Sequence, residues 1–130
     1  LFPELMEPPK MTTTTVLLEQ LAHTRSGDKG NTSNISVFAY EPALYPLLKE
    51  QLTAARFKAF HRDAIKGEVL RYEVDNLDAL NFVAHGALGG GVSRSLSLDN
   101  YGKALSAAIL GFEIDVPAEL VPLLRTRKPA

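Results

Sequence analysis

Residues 67–74, GEVLRYEV, alternate along their length: Leu70, Tyr72 and Val74 fall on one side, Arg71 and Glu73 on the other. This is the period of a half-buried strand, and a strand patterned this way needs a sheet with one covered and one less covered face. FEIDV repeats the pattern, with Phe112, Ile114 and Val116 expected inward and Glu113 and Asp115 outward. ISVFAY, Ile35 to Tyr40, is β-branched and aromatic. Val16 to Ala22 is β-like, with Leu17 and Leu21 on one face and Val16 and Leu18 on the other, and is expected to pair antiparallel with ISVFAY.

Between these runs the period changes. Pro42 suits the first turn of a helix, and Leu44, Leu48, Leu52 and Ala55 recur at helical spacing beside Leu47. Thr53 is placed to cap a second piece, AARFKAFH. ALNFVAHGALGGG reads as a short helix ended by glycines or as a strand entering a loop, with Asn76 as cap and Gly89 beyond the end favouring the helix. VSRSLSLD alternates Val92, Leu96 and Leu98 against serines, DNYGK suits a hairpin turn, and KALSAAIL suits a helix. The sum is an α+β chain, a ferredoxin-like sandwich with an antiparallel sheet of four to five strands and two helices on one face. One domain is expected over residues 16–117. Residues 1–15 carry three prolines ahead of Met11 and read as a flexible or vector-derived extension. Residues 118–130 form a tail whose Leu120, Val121, Leu123 and Leu124 suit docking on a neighbour.

The densest polar stretch is AHTRSGDKGNTSN, residues 22–34, far longer than the two to five residues a hairpin needs. Gly27 and Gly30, with Ser26, Asp28, Asn31, Ser33 and Asn34, suit a loop that turns several amides toward one anion, with Arg25 and Lys29 adding charge. A self-satisfied loop with Asp28 paired to Arg25 or Lys29 is the alternative. The stretch is no Walker A loop, because Lys29 is followed by Gly30 rather than Ser or Thr. A second cluster, HGALGGGVSRS, gathers His85, three consecutive glycines, Ser93 and Arg94. Here Arg94 suits a carboxylate or phosphate, against the plainer reading of a tight connection with Arg94 in solvent.

The net charge is −1, from 14 Lys+Arg against 15 Asp+Glu, so no global field holds a nucleic acid and an anion site must be local. The absence of cysteine removes thiolate metal sites and a Cys nucleophile. His23, His61 and His85 have no local metal-ligand spacing, and no metal is expected. His85 suits proton transfer if it faces a pocket, against the commoner role of a structural hydrogen-bond partner. With no apolar run of transmembrane length, the expectation is a cytoplasmic chain that binds neither membrane nor nucleic acid.

AHTRSGDKGNTSNISVFAY, followed by QLTAARFKAF and by NLDALNFVAHGALGGGVSRSLSLDNYGKALSAAIL, resembles the AtuA-like ferredoxin-fold domain family over about Val16 to Val116. That resemblance implies a ferredoxin-like sandwich found as the C-terminal part of acyclic terpene utilisation proteins or as a small separate protein. It also implies a larger partner subunit and work on branched acyclic acids as CoA thioesters, with no precise reaction attached. The matching residues are Arg25, Ser26, Gly27, Asp28, Lys29, Gly30 and Asn34, then Asn81, His85, Gly86, Gly89, Gly90, Gly91, Ser93 and Arg94. Thr24 stands where members commonly carry Ala. The expected site has Asp28 and His85 handling protons. Arg25, Ser26, Lys29, Asn31, Asn34, Asn81, Ser93 and Arg94 bind a carboxylate or acyl-CoA in a hydratase or dehydratase completed by the larger subunit. No cofactor is expected beyond the CoA moiety of such a substrate. The alternative is a non-catalytic assembly module, forming a homo-oligomer or holding the larger subunit through these loops.

Overall fold

The computed structural model describes residues 13–29, 32–62, 64–86 and 105–125, the side chains of Asp28 and Lys29 excepted. Its central strand is β5 (Ala79–His85), which runs antiparallel to β3 (Thr32–Ala39) on one side and β4 (Val69–Val74) on the other. With β2 (Ala22–Lys29) beside β3, the sheet order is β2-β3-β5-β4. Since β3 and β4 are both antiparallel to β5, they are parallel to each other and their connection has to cross a face of the sheet. It does so through a 3-10 turn at Pro42–Leu44, helix α1 (Tyr45–Gln51) and helix α2 (Ala54–Phe60). Thr53 caps α2 as expected, its Oγ1 accepting the Arg56 N–H at 3.1 Å.

Of the two alternatives open for ALNFVAHGALGGG, the structure takes the strand, over Ala79–His85, against the lean toward a helix, and Ala87 to Gly91 lie outside the described residues. Leu80, Phe82 and Ala84 are fully buried while His85 is exposed, and ladders on both sides satisfy the backbone that a helix would have satisfied internally. Asn76 sits in a 3-10 turn, Asp75–Leu77, instead of capping a helix. On the covered face Ile35 and Val37 of β3 and Leu80 and Phe82 of β5 meet Leu44, Leu48, Leu52 and Phe57, all without exposed surface. The Phe57 and Phe82 rings stack at 4.2 Å between centroids and 7° between planes.

The alternation of β4 holds, but the faces are reversed from the usual sense. Val69, opposite buried Ala84, is the buried apolar residue, and Arg71 continues along that same side. Arg71 Nη1 donates to the carbonyls of Lys49 (2.7 Å) and Leu52 (3.0 Å), and Nη2 to Glu73 Oε2 (2.8 Å). The guanidinium thus meets carbonyls at the end of α1, which have no intrahelical donor. Leu70, Tyr72 and Val74 occupy the open face, where Tyr72 is 52% exposed. Near the same strand, the Tyr45 hydroxyl lies 2.9 Å from both Asp75 Oδ1 and Ala79 O, tying α1 to the β4–β5 turn. Burial and the Asp75 carboxylate push the Tyr45 phenol well above its ordinary range, and the Tyr45 and Lys49 hydrogen bonds hold Asp75 below its own.

The strand expected over Val16 to Ala22 is two strands in two sheets. β1 (Thr13–Leu17) pairs antiparallel with β6 (Glu113–Pro117), whereas the strand that pairs with β3 starts at Ala22. A 3-10 turn at Leu18–Gln20, anchored by fully buried Leu18, carries the chain between them. Six strands are present among the described residues, in sheets of four and two. In β6 Ile114 and Val116 are buried and Glu113 and Asp115 exposed, as expected. The Gln51 amide donates to Asp115 O and accepts from Asp115 N, both at 2.8 Å, occupying the outer edge of β6. Residues 105–108 are helical, in keeping with the reading of KALSAAIL. Leu120, Val121 and Leu124 of the tail pack against the core while Leu123 is exposed. Arg125 donates its N–H to Gln20 O at 2.8 Å and lies 3.8 Å over the Tyr40 ring. The expectations for VSRSLSLD and DNYGK lie outside the described residues. No described helix is long and apolar enough to cross a membrane.

His61 ends α2 with 6% of its surface exposed, edge-on to Phe57 and Phe60, and its Nε2 has no hydrogen-bond partner among the described residues. Burial lowers its pKa from 6.5 to about 4, so the folded chain binds this proton less readily than the unfolded chain. The associated stability is complete above the unfolded pKa and is lost as pH falls through the interval below it. Urea unfolding from pH 7 to pH 4 should show a wild-type loss about 3 kcal/mol greater than that of His61→Leu.

Candidate functional site

The polar stretch 22–34 is a tight hairpin and not a long loop. Its register runs without interruption from Ala22 opposite Ala39 to Lys29 opposite Thr32. The β3–β5 register continues across the sheet, with Thr32 opposite His85 and Phe38 opposite Ala79. The hairpin tip and the start of the second cluster therefore arrive at one end of the sheet. There Thr32 Oγ1 lies 3.3 Å from His85 Nδ1.

The backbone around His85 is held from its other side. Gly67 N–H donates to His85 O at 3.0 Å, His85 N–H to Glu68 O at 2.9 Å, and Lys66 N–H to Gly86 O at 3.2 Å. Gly86 turns with φ +64°, and a Cβ added at Gly67 would stand 2.5 Å from the His85 carbonyl oxygen. These glycines permit an approach that a side chain would obstruct, and they fix where β5 ends. His85 itself is exposed.

Reading across the four strands, one row contains Arg25, Ser36, Asn81 and Tyr72, and another Gly27, Asn34, Val83 and Leu70. Asn81 Nδ2 donates to Asn34 Oδ1 and to Ser36 Oγ, the latter at 2.8 Å. Both amide protons of Asn81 are committed, which leaves its Oδ1 as an outward acceptor, while Asn34, accepting through Oδ1, keeps its NH₂ as an outward donor. His23 stacks on Phe38 at 5.0 Å and 13°, next to Tyr40 at 5.6 Å. The described side chains of this open face include Arg25 and two histidines, and exposed Glu68, which continues the alternation of Leu70, Tyr72 and Val74 and accepts the His85 N–H at its carbonyl, brings a carboxylate to the same end.

Arg25, Asn34, Asn81 and His85 are thus brought to one face. Ser26 falls in the alternate row, with Ile35 and Phe82, and is exposed at the sheet edge. Asp28 is in the row of Ser33 and Ala84, not that of His85, and Lys29 is in the row of Thr32 and His85. Asn31, Ser93 and Arg94 lie outside the described residues. The sequence reading missed Thr32, Ser36, Tyr72 and Gly67. Ser36 had a usable signal, since it alternates with buried Ile35 and Val37 and so belongs to the face of Asn34. A separate shallow groove of about 370 Å³ lies between α1 and the β1–β6 ribbon, lined in part by Leu47, Gln51, Arg56 and Asp115, and includes none of the expected site residues. Among the described residues no group of three or more His, Asp or Glu side chains could hold a metal ion.

Gly67→Ala should lower stability by about 1–3 kcal/mol, the usual cost of forcing atoms into a filled space, and should shift the His85 amide resonance. Gly27→Ala, whose Cβ would meet nothing within 4 Å, should stay within about 0.5 kcal/mol of wild type by urea unfolding. Equal effects would separate the His85 backbone from the Gly67 contact.

No curated protein and no solved structure matches the chain. The sequence model of the AtuA ferredoxin-like domain matches residues 16–115, a span that starts at the end of β1 and takes in the hairpin, the helical crossover, β5 and most of β6. With a mixed α and β architecture and antiparallel sheets on the page, this chain belongs to the AtuA ferredoxin-like domain family.

Proposed function

We propose that this domain is the small subunit or domain of a hetero-oligomeric AtuA-type enzyme acting on a carboxylate or acyl-CoA, with hydration or dehydration as the reaction class. The observation that supports this reading is the meeting of the β2–β3 hairpin tip with His85 at one end of the sheet. His85, oriented by Thr32 and by the Gly67 backbone, is the described group suited to proton transfer. A sheet surface offers groups from one side only, so a second wall is required to exclude water and surround a substrate. The larger subunit supplies that wall. The exposed, polar open face also suits the second reading, a non-catalytic module that joins or stabilises larger subunits.

The experiment is co-expression with a larger AtuA-type subunit and assay of enoyl-CoA hydration by absorbance. The complex should turn over while neither chain alone does, and His85→Gln should reduce turnover at least tenfold with an unchanged melting temperature. Full turnover by the His85→Gln complex removes the proposed site. A stable complex with no turnover on a panel of acyl-CoA thioesters favours the assembly module.

A further inference from the structure

We propose that the outer edge of β6 is a strand-addition surface for an extended, basic segment of another protein chain, and that the Gln51 side chain holds its place while that segment is absent. None of its residues belongs to the sheet end at His85, so the proposal stands apart from the enzymatic reading.

Hydrogen bonds define what the edge accepts. Gln51 Nε2 donates to Asp115 O and Asp115 N–H donates to Gln51 Oε1, both at 2.8 Å. A primary amide that gives one bond to a residue and takes one from it reproduces what a neighbouring strand does at a hydrogen-bonded antiparallel pair. Asp115 thus turns its backbone away from Thr15, its partner on β1, and the period of two turns Glu113 and Pro117 the same way. Pro117 has no N–H to offer, so an added strand is centred on Glu113 and Asp115. Space for it lies alongside, because the groove of about 370 Å³ between α1 and the β1–β6 ribbon has Gln51 and Asp115 in its lining. Main-chain bonds of this kind supply affinity for an added strand, and the side chains along the groove supply selectivity.

Charge selects the occupant. Glu50 and Asp115 line the groove and are exposed, and exposed Glu113 continues the edge. Among the described lining residues Arg56 is the one cation, and its Nη1 donates to Gln51 O at 3.1 Å at the end of α1. Three carboxylates therefore stand against one guanidinium already engaged by a helix end. A second copy of β6 would set Glu113 and Asp115 against their own kind, which destabilises a strand pair. A segment with Lys or Arg opposite these two residues makes opposite-charge pairs instead. Its intervening residues turn to the side of buried Ile114 and Val116, where Leu47 forms the groove wall and an apolar side chain fits.

The probe is a short, end-blocked, fluorescent peptide alternating Lys and Val, titrated into the free chain, with a peptide alternating Glu and Val as control. In wild type only molecules with Gln51 swung out can bind, so Gln51→Ala should tighten binding of the basic peptide at least tenfold. A residue that merely touched the peptide would weaken binding when truncated. The acidic peptide should bind at least tenfold more weakly, and added salt should weaken the basic one. In wild type, saturating basic peptide should shift the Gln51 side-chain NH₂ resonances while the Asp115 amide stays protected from exchange, a readout that does not depend on a variant folding. Unchanged or weakened binding by Gln51→Ala, or Gln51 resonances that stay in place at saturation, overturns the placeholder. Equal binding of the two peptides overturns the basic occupant, and no binding by wild type or variant at millimolar peptide overturns the site. Self-association of Gln51→Ala that excludes the peptide puts a second copy at the edge and overturns the proposal as well.

Discussion

The structure depends on burying one side of β5. Leu80, Phe82 and Ala84 have no exposed surface, and the Phe82 ring stacks on Phe57 of α2. This contact holds the helical crossover on the sheet and requires β3 and β4 on either side, because a central strand away from water cannot leave its amides and carbonyls unpaired. The crossover in turn places the end of α1 over Arg71, whose guanidinium takes two of its carbonyls. A basic residue is thus retained on the covered side of an edge strand while apolar residues take the open side.

The same arrangement brings the polar residues together. Alternation along β3 and β5 sends every residue between the buried ones to the other face, so the packing of Ile35, Val37, Leu80 and Phe82 also determines the placing of Asn34, Ser36, Asn81 and His85. The site therefore needs no separate scaffold. What it adds is local, namely the near contact of Gly67 with the His85 carbonyl and the positive φ at Gly86.

Much of the architecture was legible in the chain. The alternation in GEVLRYEV and FEIDV, the cap at Thr53 and the helical spacing from Leu44 to Leu52 each report a local preference that the fold retains. Other elements were misread because local signals were outweighed. AHTRSGDKGNTSN has the composition of a loop, yet pairing with β3 makes most of it strand, since a ladder on a neighbour compensates for weak intrinsic preference. ALNFVAH suits helix or strand about equally by composition, and only the strands on both sides decide it. The Leu70, Tyr72 and Val74 face was identified by period, but period does not say which side meets the helices.

The sequence by itself determined the alternating and helical segments, the α+β class, the family, and the two polar clusters. These follow from interactions within a few residues or from motif identity. Only the tertiary structure decided that β1 and β2 are separate strands, that the hairpin tip meets His85, and that Arg25, Asn34 and Asn81 share a face while Ser26 does not. Those outcomes depend on register between segments about 50 residues apart, as with Thr32 and His85, and register is selected by which apolar side chains are buried together.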